Sequence, residues 1–153
     1  MNKLYYTWKQ FDKDIDKLAI QILRSKWYPD YIVGITRGGL VPATALSHKI
    51  CSTMYTMDVR LRDTDADYTG PERAFWLEAQ ALTKKILIVD DINDSGATLQ
   101  WVKNCFKPHV IQTGNVRFAT MFDHLGSDFD QVEYTVTELE PENKPWIVFP
   151  WEN

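Results

Sequence analysis

Ile86–Leu87–Ile88–Val89–Asp90–Asp91–Ile92–Asn93–Asp94–Ser95–Gly96–Ala97–Thr98 decides how the rest of this chain is read. Four consecutive β-formers predict a strand buried on both faces, the habit of strands in a parallel sheet. Two adjacent carboxylates stand at its carboxyl end, and Asp94–Ser95–Gly96–Ala97–Thr98 opens a helix. Vicinal acids thus lie beside helix-terminal N–H groups and two hydroxyls. Such a corner can hold a phosphate and a sugar diol together.

Working outward, strand, turn and helix recur. Thr7–Trp8–Lys9–Gln10 has capping-box spacing, and Phe11, Ile15, Leu18, Ala19, Ile22 and Leu23 follow at helical intervals. Trp27–Tyr28–Pro29–Asp30 breaks that helix. Tyr31–Ile35 predicts the first central strand, Thr36–Arg37–Gly38–Gly39 a turn, and Leu40 to Ile50 a helix with Pro42 in its first turn. Further strands are expected at Thr53–Leu61, Lys85–Asp90 and Val116–Phe122, with a weaker one at Val132–Val136. A helix is expected over Ala97–Phe106. Arg62–Leu82 is polar and lacks clear periodicity, so it reads as a mobile loop with room for a hairpin. The apolar tail, 145–153, must pack on something. This order predicts an α/β fold with an open, mostly parallel twisted sheet flanked by helices. In such sheets ligands sit outside the carboxyl ends of the strands, where both glycine-containing turns fall.

The bulk numbers narrow the classes. A chain of 153 residues is read as a single domain over 1–153. Its formal net charge of −4, with no Lys/Arg stripe, argues against nucleic acid as the partner. No apolar run approaches the roughly 18–20 residues that span a bilayer, and Met1 to Tyr6 lacks the features of a signal peptide. Cys51 and Cys105 have neither zinc-like nor CxxC spacing and read as reduced, buried thiols of a cytoplasmic protein. The 6 Trp include Trp27, Trp76 and Trp101, which with Tyr28 leave spare apolar surface for an interface.

Neither GxGxxG nor GxxxxGK[ST] is present. Arg37–Gly38–Gly39 is either a plain tight turn or one whose backbone N–H groups meet an anion, with Arg37 adding charge. Asp94–Thr98 alone could be a simple helix N-cap. That reading leaves Asp90 and Asp91 unexplained, since adjacent acids repel unless a cation or hydroxyl donors satisfy them. Together the two turns favour a ligand with two separated phosphate groups.

Val89–Asp90–Asp91–Ile92–Asn93–Asp94–Ser95–Gly96–Ala97–Thr98 resembles the signature of the type I phosphoribosyltransferases, which bind 5-phosphoribosyl-1-pyrophosphate (PRPP). Thr36–Arg37–Gly38–Gly39–Leu40–Val41–Pro42 is similar to their pyrophosphate loop. The opening Thr-Trp and helix, and the ending Trp146–Ile147–Val148–Phe149–Pro150–Trp151–Glu152, are nearest to the xanthine–guanine and archaeal hypoxanthine/guanine members. The resemblance implies a Mg²⁺-dependent purine salvage enzyme that moves ribose 5-phosphate from PRPP to a nucleobase, with a small C-terminal hood (123–153) over the base. By it, Asp90 and Asp91 hold the ribose hydroxyls and Mg²⁺. Asp94, Ser95, Gly96, Ala97 and Thr98 cradle the 5′-phosphate, and Asp94 accepts a proton from the base. Thr36, Arg37, Gly38 and Gly39 bind pyrophosphate across a cis peptide before Arg37. Arg60, Arg62 and Arg73 are lid candidates.

For the base, the resemblance implies stacking between Ile92 and Trp146, edge reading by the Ile147 backbone, and an acid at Glu152. Relatives using 6-oxopurines carry a lysine just after the strand matching Val116–Phe122. This chain reads Phe122–Asp123–His124–Leu125, which puts His124 at that place and no lysine beside it. His48 and His109 read as structural or surface residues. A non-catalytic PRPP-binding regulator, and a phosphoribosyltransferase for another base, are the alternative readings.

Overall fold

The computed structural model describes residues 2–59, 61 and 71–152. Five parallel strands form the main sheet: β2 (Tyr31–Thr36), β3 (Thr53–Asp58), β4 (Ile86–Asn93), β5 (Val116–His124) and β6 (Tyr134–Leu139). Their spatial order is β3-β2-β4-β5-β6. The chain runs from β2 outward to β3, then returns to the other side of β2 as β4. The switch point of the topology therefore lies between the carboxyl ends of β2 and β4, where open α/β sheets bind ligands.

Alternation along the buried strands divides the core into two layers. Ile32, Leu87, Val89, Ala119 and Met121 face α1 (Trp8–Arg24) and α2 (Leu40–Ile50), while Val33, Ile35, Ile86, Ile88 and Phe118 face the opposite side. On that side pack α3 (Pro71–Ala81), α4 (Ala97–Asn104) and α5 (Pro108–Gln112). The α1 start forms as its sequence predicts. Thr7 Oγ1 accepts from the Gln10 N–H at 3.2 Å, and Gln10 Oε1 accepts from the Thr7 N–H at 2.9 Å.

Several expectations need correction. Pro71–Ala81 is helix, not loop. Ala74, Leu77 and Ala81 are its buried positions, spaced i, i+3 and i+7, and the apolar run Ala74–Leu77 hid that period. The rest of the expected lid, 62–70, lies outside the described residues. The strand expected at Val132–Val136 spans Tyr134–Leu139, and the one expected to reach Leu61 ends at Asp58. Neither β1 (Lys3–Tyr5) nor α5 was anticipated, because three and five residues carry too little periodicity. Cys51 is exposed and Cys105 half-buried, so neither is the buried thiol expected. Trp27 is buried, its indole N–H donating to the Gly114 carbonyl at 3.0 Å, and offers no interface surface. His48 and His109 are exposed, as expected.

The hood draws on both ends of the chain. β1 pairs in parallel with β7 (Trp146–Val148), setting Leu4 opposite Ile147. Pro150–Glu152 closes the chain as a 3₁₀ turn. Aromatic rings fasten this ribbon to the α1/α2 side of the core: Tyr6 meets Phe122 edge-on at 5.0 Å, and Phe149 stacks on Trp151 at 4.8 Å. Among the described residues no helix is long and apolar enough to cross a membrane.

Candidate active site at the β2/β4 switch point

The two glycine-bearing corners meet. A Cβ placed on Gly38 would lie 2.0 Å from Asp91 Oδ2, and one on Gly39 would lie 2.4 Å from the Val89 carbonyl oxygen. The backbone after β2 thus rests directly against the end of β4, an approach only glycine permits. The Thr36–Arg37 peptide bond is cis, and Arg37 is exposed at the rim. Thr36 Oγ1 donates to Asp58 Oδ1 at 2.8 Å, which ties this corner to the end of β3.

Asp90 and Asp91 occupy the last turns of pleat in β4. Asp90 is 9% exposed, and its Oδ1 accepts the Asp91 N–H at 2.9 Å. One carboxylate oxygen is therefore engaged by its own chain. Burial, then the neighbouring Asp91 charge, holds Asp90 well above the ordinary carboxylate range. Burial also pushes Asp91 up to about 6, with the Glu152 charge adding to it against hydrogen bonds from Asp90 and the Ile92 backbone. Two acids in one buried corner carry an uncompensated cost that a cation and hydroxyl donors would relieve. No cluster of three or more His, Cys, Asp or Glu side chains forms a metal site among the described residues. Two vicinal carboxylates still suit Mg²⁺, which binds through one or two carboxylates plus substrate oxygens rather than in an all-protein cage.

The turn into α4 is built for an anion rather than for its own cap. The N-cap is Gly96, at φ +91°, and no side chain caps the helix. Ser95 Oγ accepts only a long, 3.3 Å bond from the Ala97 N–H, so the simple Asp/Ser N-cap does not form. The first N–H groups of a helix have no partner within it, so this terminus can donate to an anion. A side chain at Gly96 would also strike Phe129, whose backbone nitrogen would be 2.5 Å from the new Cβ. The segment after β5 backs the turn: the Asp128 N–H donates to the Ser95 carbonyl at 3.0 Å.

The residues expected to hold the base stand in different states. Ile92 is half-buried against the α1/α2 core, Trp146 is 50% exposed, and Ile147 is buried in the hood. Glu152 is exposed, and its Oε2 accepts the Phe149 N–H at 3.0 Å, a bond within its own turn. His124 is 7% exposed, yet neither ring nitrogen has a hydrogen-bond partner. Asn93 Oδ1 and Trp151 Nε1 are the other buried side-chain polar atoms left unpaired among the described residues. All three residues lie at the ends of β4 and β5 or in the hood. A buried polar atom left unpaired costs about 1–3 kcal/mol, and of the three the Trp151 indole is directed at Asp91, whose carboxyl it draws down against burial.

Sequence reasoning missed two contributors. Asn93 Nδ2 reaches Asp123 Oδ1, Ser127 Oγ and the Phe129 carbonyl, each at 2.8 Å, and so clamps the segment that backs Gly96. Burial raises Asp123 above its ordinary value against that bond from Asn93. Lys144, two residues before Trp146, places Nζ 2.8 Å from Asp94 Oδ1. A lysine does reach the site, from the hood side rather than from the end of β5. Arg60 and Arg62 lie outside the described residues, and Arg73 falls in α3.

The phosphoribosyl transferase domain family matches residues 1–152. A xanthine-guanine phosphoribosyltransferase of Cereibacter sphaeroides is 32% identical over 162 residues, covering 97% of this chain and 86% of that protein. Another, from Desulfotalea psychrophila, is 31% identical and covers 95% and 84%. The crystal structure of a purine phosphoribosyltransferase from Pyrococcus horikoshii superposes with a TM-score of 0.72 at 28% identity, over 100% of this chain and 95% of its own. The chain belongs to the phosphoribosyl transferase domain family.

Proposed function

We propose that this protein is a cytoplasmic, Mg²⁺-dependent purine salvage phosphoribosyltransferase that attaches ribose 5-phosphate from PRPP to a 6-oxopurine and releases pyrophosphate. The observation that carries this reading is the contact of Gly38 with Asp91, which makes one site of two phosphate-binding corners. PRPP has a phosphate at C5, a diol at C2 and C3, and a pyrophosphate at C1, in the order these corners present their groups. The α4 terminus with Ser95 and Thr98 takes the 5′-phosphate. Asp90 and Asp91 take the diol, and the Thr36–Gly39 backbone with Arg37 takes the pyrophosphate.

Displacement at C1 passes through an oxocarbenium-like state, with positive charge on the sugar and negative charge on the departing group. Asp90 and Asp91 lie on the sugar side and stabilise the first; Arg37 stabilises the second. Asp90 and Asp91 would hold Mg²⁺, which when bound would add to the neutralisation of the pyrophosphate charge. Asp94 accepts the proton that the attacking base nitrogen gives up.

Lys144 supports a 6-oxo acceptor. It is paired with Asp94 and precedes the stacking candidate Trp146, so an ammonium donor and a carboxylate acceptor flank one edge of the base position. A 6-oxopurine offers a carbonyl acceptor next to the imidazole nitrogen on that edge; a 6-aminopurine offers a donor, which an ammonium repels. Assembly as a dimer or tetramer is part of the same reading. The test is a panel of free bases incubated with Mg²⁺ and PRPP, following pyrophosphate release. Hypoxanthine, guanine or xanthine should react and adenine should not. No nucleotide from any base would refute the enzyme and leave a PRPP-binding regulator.

A further inference from the structure

The opposite pole of the sheet holds a cavity of about 550 Å³, open to solvent on one side. It lies where β5 and β6 begin, and its walls include Ser25, Lys103, Arg117, Phe118, Glu133 and Tyr134. This size is in the range of small-molecule sites. Its hydrogen bonding has a direction. Arg117 Nη1 donates to Tyr134 Oη at 2.7 Å; Tyr134 Oη and Ser25 Oγ are 2.7 Å apart; and Ser25 Oγ donates to the Ile22 carbonyl at 2.6 Å. The Ser25 proton is committed to Ile22, so the tyrosine hydroxyl donates to Ser25 and accepts from the guanidinium. Both hydroxyl protons are used inside the wall.

Cationic donors are what remain. The other Arg117 N–H groups have no partner among the described residues, and no carboxylate comes within 4.0 Å of the guanidinium there. The group is held in place by stacking, 4.8 Å from the Trp27 ring centroid and 5.9 Å from that of Tyr134. Among the described residues Lys103 Nζ is bonded only to Gln131 Oε1. Glu133 offsets part of this charge, since Arg117 and Lys103 both draw its carboxyl down against the upward push of burial, but among the described residues it forms no ion pair within 4.0 Å with either, and its Oε2 accepts the Phe118 N–H at 2.6 Å. In a chain of net charge −4, the lining carries two cations against one anion.

From this surplus of oriented cationic donors beside an apolar floor of Val116 and Phe118, we infer that the cavity binds a small organic oxyanion, a carboxylate or phosphate on an apolar or aromatic body. The site is separate from the β2/β4 corner, which lies at the carboxyl ends of the same strands, and the inference stands whether or not the proposed function does.

Benzoate and phenyl phosphate are the probes, titrated into the ¹⁵N-labelled protein with amide and indole shifts as the readout. Saturable shifts at Phe118, Glu133, Tyr134 and the Trp27 indole are expected. A response to benzoate alone identifies a carboxylate site, and one to phenyl phosphate alone a phosphate site. Lys103→Gln should weaken the response about tenfold, and Arg117→Gln should abolish it. Arg117 also belongs to the Trp27–Tyr134 stack, so Lys103→Gln keeps the test decisive if the arginine variant does not fold. The inference falls if neither probe gives saturable shifts at these groups, if shifts are confined to 94–98, if Lys103→Gln binds as tightly as the wild type, or if dilution without probe reproduces the shifts, which would mark a contact between copies.

Discussion

The two halves of β4 do opposite things. Ile86, Leu87, Ile88 and Val89 are all 0% exposed and feed the two core layers alternately. In its next four residues the same strand holds two acids displaced upward in pKa and an asparagine with an unpaired oxygen. The first half is stabilised by burial at roughly 1.5–3 kcal/mol per side chain. The second half is held in an unfavourable state by the first. The division teaches that stability and chemistry can occupy one strand without sharing residues, and substitutions should separate them.

The largest effect belongs to Asp94, the residue that directly follows the functional half. Asp94→Asn keeps the shape of the turn but removes the proton acceptor, so nucleotide formation should fall about 10³-fold, the scale of a lost general base. PRPP affinity, measured by calorimetry, should survive within a few-fold. Loss of both would mean that Asp94 holds the turn together rather than serving the base. Ile88→Ala should do the reverse. It opens a cavity in the core facing α3–α5, costing about 3–4 kcal/mol in denaturant unfolding. The specific activity of the folded fraction should stay within about twofold. An activity loss as large as that of Asp94→Asn would erase the division between the halves.

Asp91→Asn tests the cost itself. Asp91 is raised from 3.8 to about 6 in the folded chain. Below pH 3.8 both folded and unfolded states are protonated, and the carboxyl contributes nothing to the pH dependence. As pH rises toward 6 the unfolded state ionises first, so the wild type loses stability over that window. The asparagine variant escapes this loss. Its stability advantage should grow between pH 4 and 6 and level off above, reaching about 3 kcal/mol in metal-free buffer. A variant no more stable at pH 7 than at pH 4, relative to wild type, would show that the pair is relieved some other way.

These halves were unequally legible in the sequence. Ile86–Val89 needed only hydrophobicity and β-propensity, and the Thr7–Gln10 cap only its spacing, because those forces act between near neighbours. The Asp90–Thr98 motif was legible as chemistry. Its abutment on Gly38 depends on strand order, which no local pattern encodes. The α3 helix was missed because an apolar cluster blurred its period, and β1 because its three residues are held by β7, on the other side of the whole chain. Asn93 was invisible as a clamp for the same reason: its partners Asp123, Ser127 and Phe129 lie 30 to 36 residues away.

Lys144 is the sharpest case of such a long-range contact, and the smallest effect expected. As an exposed ion pair with Asp94, it would be worth about 0–1 kcal/mol to the fold and little else. As the donor to a 6-oxo group it acts only when the base is bound. Lys144→Gln should then raise KM for hypoxanthine or guanine about tenfold, near 1.4 kcal/mol, with KM for PRPP and the melting temperature unchanged. Glutamine keeps a donor without the charge, so discrimination against adenine should relax more than turnover of 6-oxopurines falls. If both constants are untouched, the base is read elsewhere. The buried His124, with both nitrogens unpaired at the end of β5, then becomes the donor to examine, and His124→Phe should carry the loss that Lys144→Gln did not.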